Sequence, residues 1–264
     1  MTTIPPVVPP LPVKSRFARD LPLGAAFAWL GAGWRDLITR PVPSLLYGLL
    51  VVMLSVIVVS ALWQLEFDYV LFPALAGFLV CAPALAIGLY EKSRALEHGE
   101  PVSLARMILP RPASGGQILF IGALLCGLAL LWMRAAIIIY ALFFGVKPFP
   151  GIDHVAAMLF STHTGAAMLA IGSLVGALFA AFSFAISAFS LPMMLDRDVD
   201  ALTAIGHSWA LVVKNLGPMM VWGLIVLVLF LVSLATGLIG LVVVFPLLGH
   251  ATWHAYRAVY PPGP

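Results

Sequence analysis

Six long apolar stretches separated by short polar gaps run through this chain, and its basic residues fall almost wholly into alternate gaps. About 20 mostly apolar residues are what an α-helix needs to cross a bilayer. Helix is the only state such a run can take in lipid, where an unpaired backbone N–H or C=O finds no water. The pattern predicts an all-α polytopic membrane protein, a six-transmembrane-helix bundle. Its spans are expected near 44–64, 69–90, 117–140, 166–192, 216–235 and 238–258. Pro73, Pro83 and Pro246 fall inside spans and are expected to kink them.

Composition agrees. The chain is 62% hydrophobic and 9% charged, with a mean hydropathy of +1.07. A soluble domain is about 45–50% apolar and about 25% charged. A water-soluble fold cannot hide such an excess, so the excess faces lipid. The net charge of +3 and the pI near 9.0 do not point to nucleic acid. No Lys/Arg block of the kind that tracks phosphate is present. Cys81 and Cys126 lie in apolar runs, outside any metal or redox spacing, and read as inert packing residues.

The charges orient the bundle. Lys14, Arg16, Arg19, Arg35 and Arg40 precede span one. Lys92, Arg94, Arg106 and Arg111 fall between spans two and three, Arg197 and Lys214 between four and five, and Arg257 at the end of six. Of the fourteen Lys and Arg residues, only Arg134 and Lys147 remain. The positive-inside rule then puts both termini in the cytoplasm. Arg134, late in span three, is expected to snorkel toward the outer headgroups.

Residues 1–21 form a Pro-rich lead that is expected to be disordered, with no cleavable signal. In residues 22–40, Leu23, Phe27, Leu30, Trp34 and Leu37/Ile38 recur at helical spacing, which predicts an amphipathic interfacial helix ended by Pro41 and Pro43. The membrane domain is then 41–260. Residues 99–116 contain a short segment, Ser103–Leu109, between prolines, and 151–163 suggest a small surface helix. Span four is rich in small residues, and Gly172–x3–Gly176 lets another backbone approach closely. It is read as the most tightly packed helix, against this chain or against a second copy or another membrane protein. A short echo between 83–95 and 246–258 is too slight to establish a repeat.

Few residues carry chemistry. His250, His254 and Arg257 share one face of span six, with Trp253 beside them. Two His at this spacing can hold a metal, and an intramembrane His can ligate haem b, so His250 and His254 are the candidate cofactor ligands. The alternatives are interfacial and packing roles, and a proton or substrate path. The remaining histidines lie in or beside loops, too few within the membrane for a haem–copper core. Spans two, four and six end on the charged side with Glu91, Arg94, Asp196, Arg197, Asp198 and Arg257. Two readings are open: a cluster in which Asp196 or Asp198 pairs with Arg94 or Arg257, or solvated end charges with Asp198 or Asp200 as a helix N-cap. Asp196-x-Asp198-x-Asp200 is not a calcium loop, because Ala201 and His207 stand where Gly and Glu are needed. No nucleophile–base triad, phosphate loop or zinc-protease motif is present, so no catalytic residue is assigned.

PALAIGLYEKSRALEHGE (83–100), LPMMLDRDVDALTAIGHS (191–208) and FPLLGHATWHAYR (245–257) resemble, in the right order, the uncharacterised bacterial inner-membrane family called domain of unknown function 2189. The resemblance covers roughly residues 40–258. It implies a six-helix protein of the bacterial inner membrane and supplies no activity and no catalytic residue. The expectation is a non-enzymatic membrane component or accessory subunit. The alternatives are a small transporter or channel, which needs a polar path at mid-depth, and a haem-binding redox protein.

Overall fold

A computed structural model describes residues 17–145, 149 and 151–260. Residues 1–16, Lys147 and the last four residues lie outside this range, and with them most of the Pro-rich lead. Among the described residues every regular element is helical.

Helix α1 (Ala25–Ile38) is followed by α2 (Pro41–Gln64). Pro41 and Pro43 do not end α1. They stand in the first turn of α2, where a missing N–H is no loss and a fixed φ helps. The second apolar run forms α3 (Leu71–Leu85) and α4 (Ile87–Glu97), broken at Ala86 three residues after Pro83. Tyr47 takes up the freed Leu85 carbonyl at 2.8 Å. After α5 (Leu104–Ile108), capped by Ser103, come α6 (Ile118–Phe144) and α7 (Ile152–Ser161). The fourth run breaks likewise, into α8 (His163–Ser187) and α9 (Ser190–Asp196). Here Ser208 enters the ladder, donating to the Ala185 carbonyl at 2.8 Å and accepting from the Phe189 N–H at 3.1 Å. A side chain inserted this way is a recognised cause of a sharp break. Last come α10 (Ala201–Lys214), α11 (Leu216–Ala235) and α12 (Leu241–Val259).

Five helices among the described residues are long and apolar enough to cross a membrane: Pro41–Gln64, Leu71–Glu97, Gly115–Phe144, His163–Asp196 and Leu216–Ala235. Six were expected. The sixth run, α12, is not among the five, and His250, Thr252, His254, Tyr256 and Arg257 fill its last turns. It is the centre of the fold instead. Ten of its nineteen residues are buried, and α1, α2, α4, α9 and α11 pack around it. Two close approaches make this possible. A Cβ on Gly33 would lie 2.6 Å from the Ala251 nitrogen, and one on Gly48 would run into the Val242 carbonyl oxygen.

Helix α1 has two apolar faces. Ala25, Ala26, Trp29, Ala32, Gly33 and Leu37 are buried, while Leu23, Phe27, Trp34 and Ile38 are exposed. The spacing argument found the exposed face; the packed one is made largely of small residues and a tryptophan.

Two expectations are corrected. Span four is not the most enclosed helix. Its most apolar window is 17% buried, against 28% for Gly115–Phe144 and for Leu216–Ala235. Gly176 seats the Trp132 ring, whereas a Cβ on Gly172 would meet nothing within 4 Å. Nor do residues 17–21 stand apart from the bundle. Asn215 donates to the Phe17 carbonyl at 2.8 Å and accepts from the Arg19 N–H at 2.9 Å, which straps this segment to the start of α11.

Candidate functional site

The two helix breaks matter because they re-aim the last turns of runs two and four. Helices α4 and α9 bring charged ends against the polar half of α12, on which α1 also packs. Three linked polar groups result.

The innermost is built on Lys92, only 1% exposed. Its Nζ donates to the carbonyls of Asp36 at 2.9 Å and Arg40 at 3.0 Å, and to Ser44 Oγ at 2.7 Å. Three acceptors match the three N–H bonds of an ammonium. The Asp36 carbonyl belongs to the last turn of α1, where the helix dipole is negative. Arg40 holds a left-handed backbone, φ 54°, at the turn into α2. Ser44 Oγ lies 2.9 Å from His250 Nε2, and His250 Nδ1 lies 2.9 Å from Ser93 Oγ. His250 is fully buried. The arrangement that uses every hydrogen runs one way: Lys92 donates to Ser44, Ser44 to Nε2, and the Nδ1–H to Ser93. His250 is then neutral, with its proton on Nδ1. Beyond it, Asp36 Oδ2 accepts from His254 Nε2 at 2.9 Å. Burial pushes the Asp36 carboxyl up, but hydrogen bonds from His254 and Ser93 more than reverse this and hold it below the ordinary carboxylate value.

The second group surrounds Glu91, also 1% exposed. Arg94 reaches it at 2.6 Å and Arg106 of α5 at 2.9 Å. Arg94 also donates to the Leu195 carbonyl of α9 at 2.8 Å, tying α4 to α9. Two guanidiniums on one buried carboxylate satisfy the condition under which a buried charge is tolerated. Arg106 in turn holds the exposed Glu100 carboxyl below its usual range.

The third group is centred on Arg257. Its Nη1 lies 3.1 Å from Asp196 Oδ2, and its Nε lies 2.9 Å from Glu97. Tyr256 donates to the same Asp196 oxygen at 2.9 Å, and the Trp253 indole donates to Glu97 at 3.1 Å. Arg197 lies 3.6 Å from Asp196 and stacks over Tyr260 at 4.3 Å.

Of the six end charges read from the sequence, Glu91 and Arg94 thus join one group, and Asp196, Arg197 and Arg257 another. Asp198 is exposed and enters none of the ion pairs among the described residues. Asp200 caps α10, accepting from the Thr203 N–H at 2.9 Å. The pair Asp196–Arg94 is not formed; Arg94 turns to Glu91. Asp36, Ser44, Lys92, Ser93, Glu97, Arg106 and Tyr256 were not singled out as members. Lys92 carried a signal, since a basic residue before Ser93-Arg94 at the end of an apolar run can turn inward. Nothing in the chain's pattern pairs Asp36 with His254, 218 positions away.

His250 and His254 do not converge on one point. Both nitrogens of His250 are taken by hydroxyls, and His254 turns to Asp36. Cys81 is half-buried and Cys126 exposed, both free.

Residues 71–196, which carry the first motif and the start of the second, match one family model. The family is DUF2189, described as a predicted integral membrane protein. It is the family that the three motifs resemble. No curated protein and no solved structure matches the chain. The DUF2189 match, together with the five apolar helices, makes this an integral membrane protein that sits in a lipid bilayer. The matched segment supplies Glu91, Lys92, Ser93, Arg94, Glu97, Arg106 and Asp196. Their partners Asp36, Ser44, His250 and Arg257 lie outside it, so the polar layer joins the DUF2189 segment to both flanks.

Proposed function

We propose that this protein is a non-enzymatic component of the bacterial inner membrane, one that assists or packs with another membrane protein. The observation that carries this reading is the distribution of buried polar groups. Glu91, Lys92 and His250 all sit in the layer at one end, each with partners on another helix. Deeper in, Ser183 bonds the Val80 carbonyl of α3, Ser190 bonds back across the break to the Ile186 carbonyl of α8, and Ser187 and Ser233 bond within their own helices. A transporter needs polar groups that face a path at mid-depth. A redox protein needs ligands that converge on an iron. The layer supports a fixed clamp on helix ends instead.

In this reading there are six spans, with α12 as the sixth. Its polar residues are shielded by α1, α2, α4 and α9 rather than set against lipid, which supports a transmembrane place despite its lower hydropathy. The charged layer and both termini face the cytoplasm, by the positive-inside bias. Helix α1 lies along that surface, its exposed Leu23, Phe27, Trp34 and Ile38 in the headgroup region beside Arg35. Contact with another membrane protein or a second copy falls on the open side of α8 around Gly172.

The test has two arms. A photocrosslinker on Gly172→Cys in native membranes is expected to join one partner, or a second copy, in near-stoichiometric yield. Purified protein in sealed vesicles is expected to pass neither protons nor small ions above the protein-free rate. A monomer without adducts removes the partner, and a measurable flux replaces this reading by the transporter.

A further inference from the structure

Helix α11 packs mainly on α1, α10 and α12 and stands away from α3 and α8. A cavity of about 100 Å³ lies in the gap. Its floor is aromatic: Phe78 stacks on Phe230 at 5.6 Å and tilts against Phe245 at 6.0 Å. Val226 and Leu248 in the lining are only half-buried, so the cleft is continuous with the apolar surface that exposes Leu224, Leu227 and Val243. That surface is the lipid-facing one. Three lining residues carry side-chain polar atoms, and the Thr252 hydroxyl is taken up by the Leu248 carbonyl of its own helix. Tyr90 is 2% exposed and Trp222 1% exposed. Neither the Tyr90 hydroxyl nor the Trp222 indole N–H has a hydrogen bond among the described residues.

An apolar void beside hydrocarbon forfeits dispersion contacts along its whole lining. A donor that faces such a void without an acceptor adds a further cost. One occupant removes both costs: an apolar chain that ends in an acceptor and offers no donor. Depth narrows the choice. Tyr90 directly precedes Glu91 and Lys92 of the charged layer, and Trp222 lies six residues, about 9 Å, past the start of α11, so both stand at the inner edge of the charged end. Ester carbonyls of glycerolipids lie at that level, at the edge of the hydrocarbon.

We propose that the cleft beneath α11 is a lipid site that holds one acyl chain of a bilayer glycerolipid, whose ester carbonyl accepts from Tyr90 and Trp222. The chain runs over Val226 and Leu248 to the aromatic floor. This inference rests on the membrane setting alone, independent of any partner protein.

Bromine on an acyl chain quenches indole fluorescence only at close range, and Trp222 is in the wall. The full chain and its Trp222→Phe and Trp63→Phe variants are reconstituted in phosphatidylcholine vesicles with and without mid-chain bromine. The emission removed by Trp222→Phe is expected to be quenched as strongly as that removed by Trp63→Phe, a residue 60% exposed on α2. Ala82→Phe fills the cleft and is expected to restore the Trp222 emission; Val226→Phe does the same from the opposite wall if the first variant does not fold. Trp222 emission that ignores bromine overturns the proposal. So does quenching that persists in both filled variants, or quenching by a brominated free fatty acid but not by the brominated glycerolipid.

Discussion

Lys92 Nζ lies 2.9 Å from the main-chain oxygen of Asp36, so a lysine of α4 caps the C-terminal end of α1. The same ammonium holds the Arg40 carbonyl and Ser44, which start α2. One side chain therefore fixes the angle between two helices that meet at a strained turn. Lys92→Met keeps the volume but leaves these acceptors dry. A loss of about 2–3 kcal/mol is expected, because each buried unsatisfied group costs about 1–3 kcal/mol and some relax to other donors. The loss is local. Amide hydrogen exchange in nanodiscs is expected to speed up across residues 25–44 and to stay unchanged in α6 and α8; a uniform response contradicts a capping role.

Arg257 and Asp196 make the second prediction. Removing Arg257 takes the shared guanidinium from two carboxylates, leaving Asp196 with Tyr256 and the more distant Arg197 and Glu97 with the Trp253 indole, and removing one partner of a fully buried pair costs about 3–5 kcal/mol. Asp196 and Arg257 keep 12% and 14% of their side-chain surface, and Glu97 keeps 38%. Solvent screening therefore brings the expectation down to about 2 kcal/mol for Arg257→Ala. Asp198→Ala, two residues from Asp196 but exposed, is expected to stay within about 0.5 kcal/mol of the parent. Thermal midpoints in one detergent decide it: equal effects from the two substitutions count against the cluster.

Glycine contacts separate the crowded helix faces from the open ones. Gly33→Ala puts a methyl 2.6 Å from backbone of α12 that cannot move aside, and is expected to destabilise the fold by several degrees. Gly172→Ala meets nothing within 4 Å and replaces a flexible helical residue. It is expected to raise the midpoint slightly, in line with the roughly 0.5–1 kcal/mol advantage of Ala over Gly inside a helix. Gly176→Ala falls between them, because the Trp132 ring must give way. A loss of stability in Gly172→Ala appearing only in native membranes would reveal a helix seated there.

These residues also mark how far the chain could be read by eye. The apolar runs were legible because lipid leaves helix as their only state, and element order followed. Asp196 and Arg257 were visible as end charges on the same side and lie 3.1 Å apart. Lys92, Asp36 and Ser44 were not visible as a group, because their meeting depends on which helices are neighbours, and hydropathy carries no neighbour information. The centrality of α12 was hidden for the same reason, and its polar half made it look like an ordinary helix end. The packed face of α1 escaped because Ala25, Ala26, Ala32 and Gly33 contribute little to an apolar stripe; their value is closeness to α12. The break at Ala86 was signalled by Pro83, whereas that after Ser187 depends on Ser208, 21 positions further on.

Asp36 gives the bundle a predictable acid response. Its carboxyl sits below the ordinary value of 3.8 in the folded protein, because hydrogen bonds from His254 and Ser93 outweigh burial. A depressed folded value means that the ionised carboxylate stabilises the fold. That contribution is fully present above the unfolded value and is lost as pH falls through the folded one. From pH 7 down to about 5 the midpoint should therefore owe no change to Asp36, and below about 4 it should fall as the carboxylate takes up a proton. Asp36→Asn removes the charge at every pH. Its midpoint is expected to lie below the parent's at pH 7, with the gap closing as both are taken below pH 4. His254→Gln keeps a donor toward Asp36 and should retain most of the neutral-pH stability. Melting curves of the three proteins between pH 3 and 7 decide it: parallel curves for parent and Asp36→Asn would show that this carboxylate does not couple to the fold.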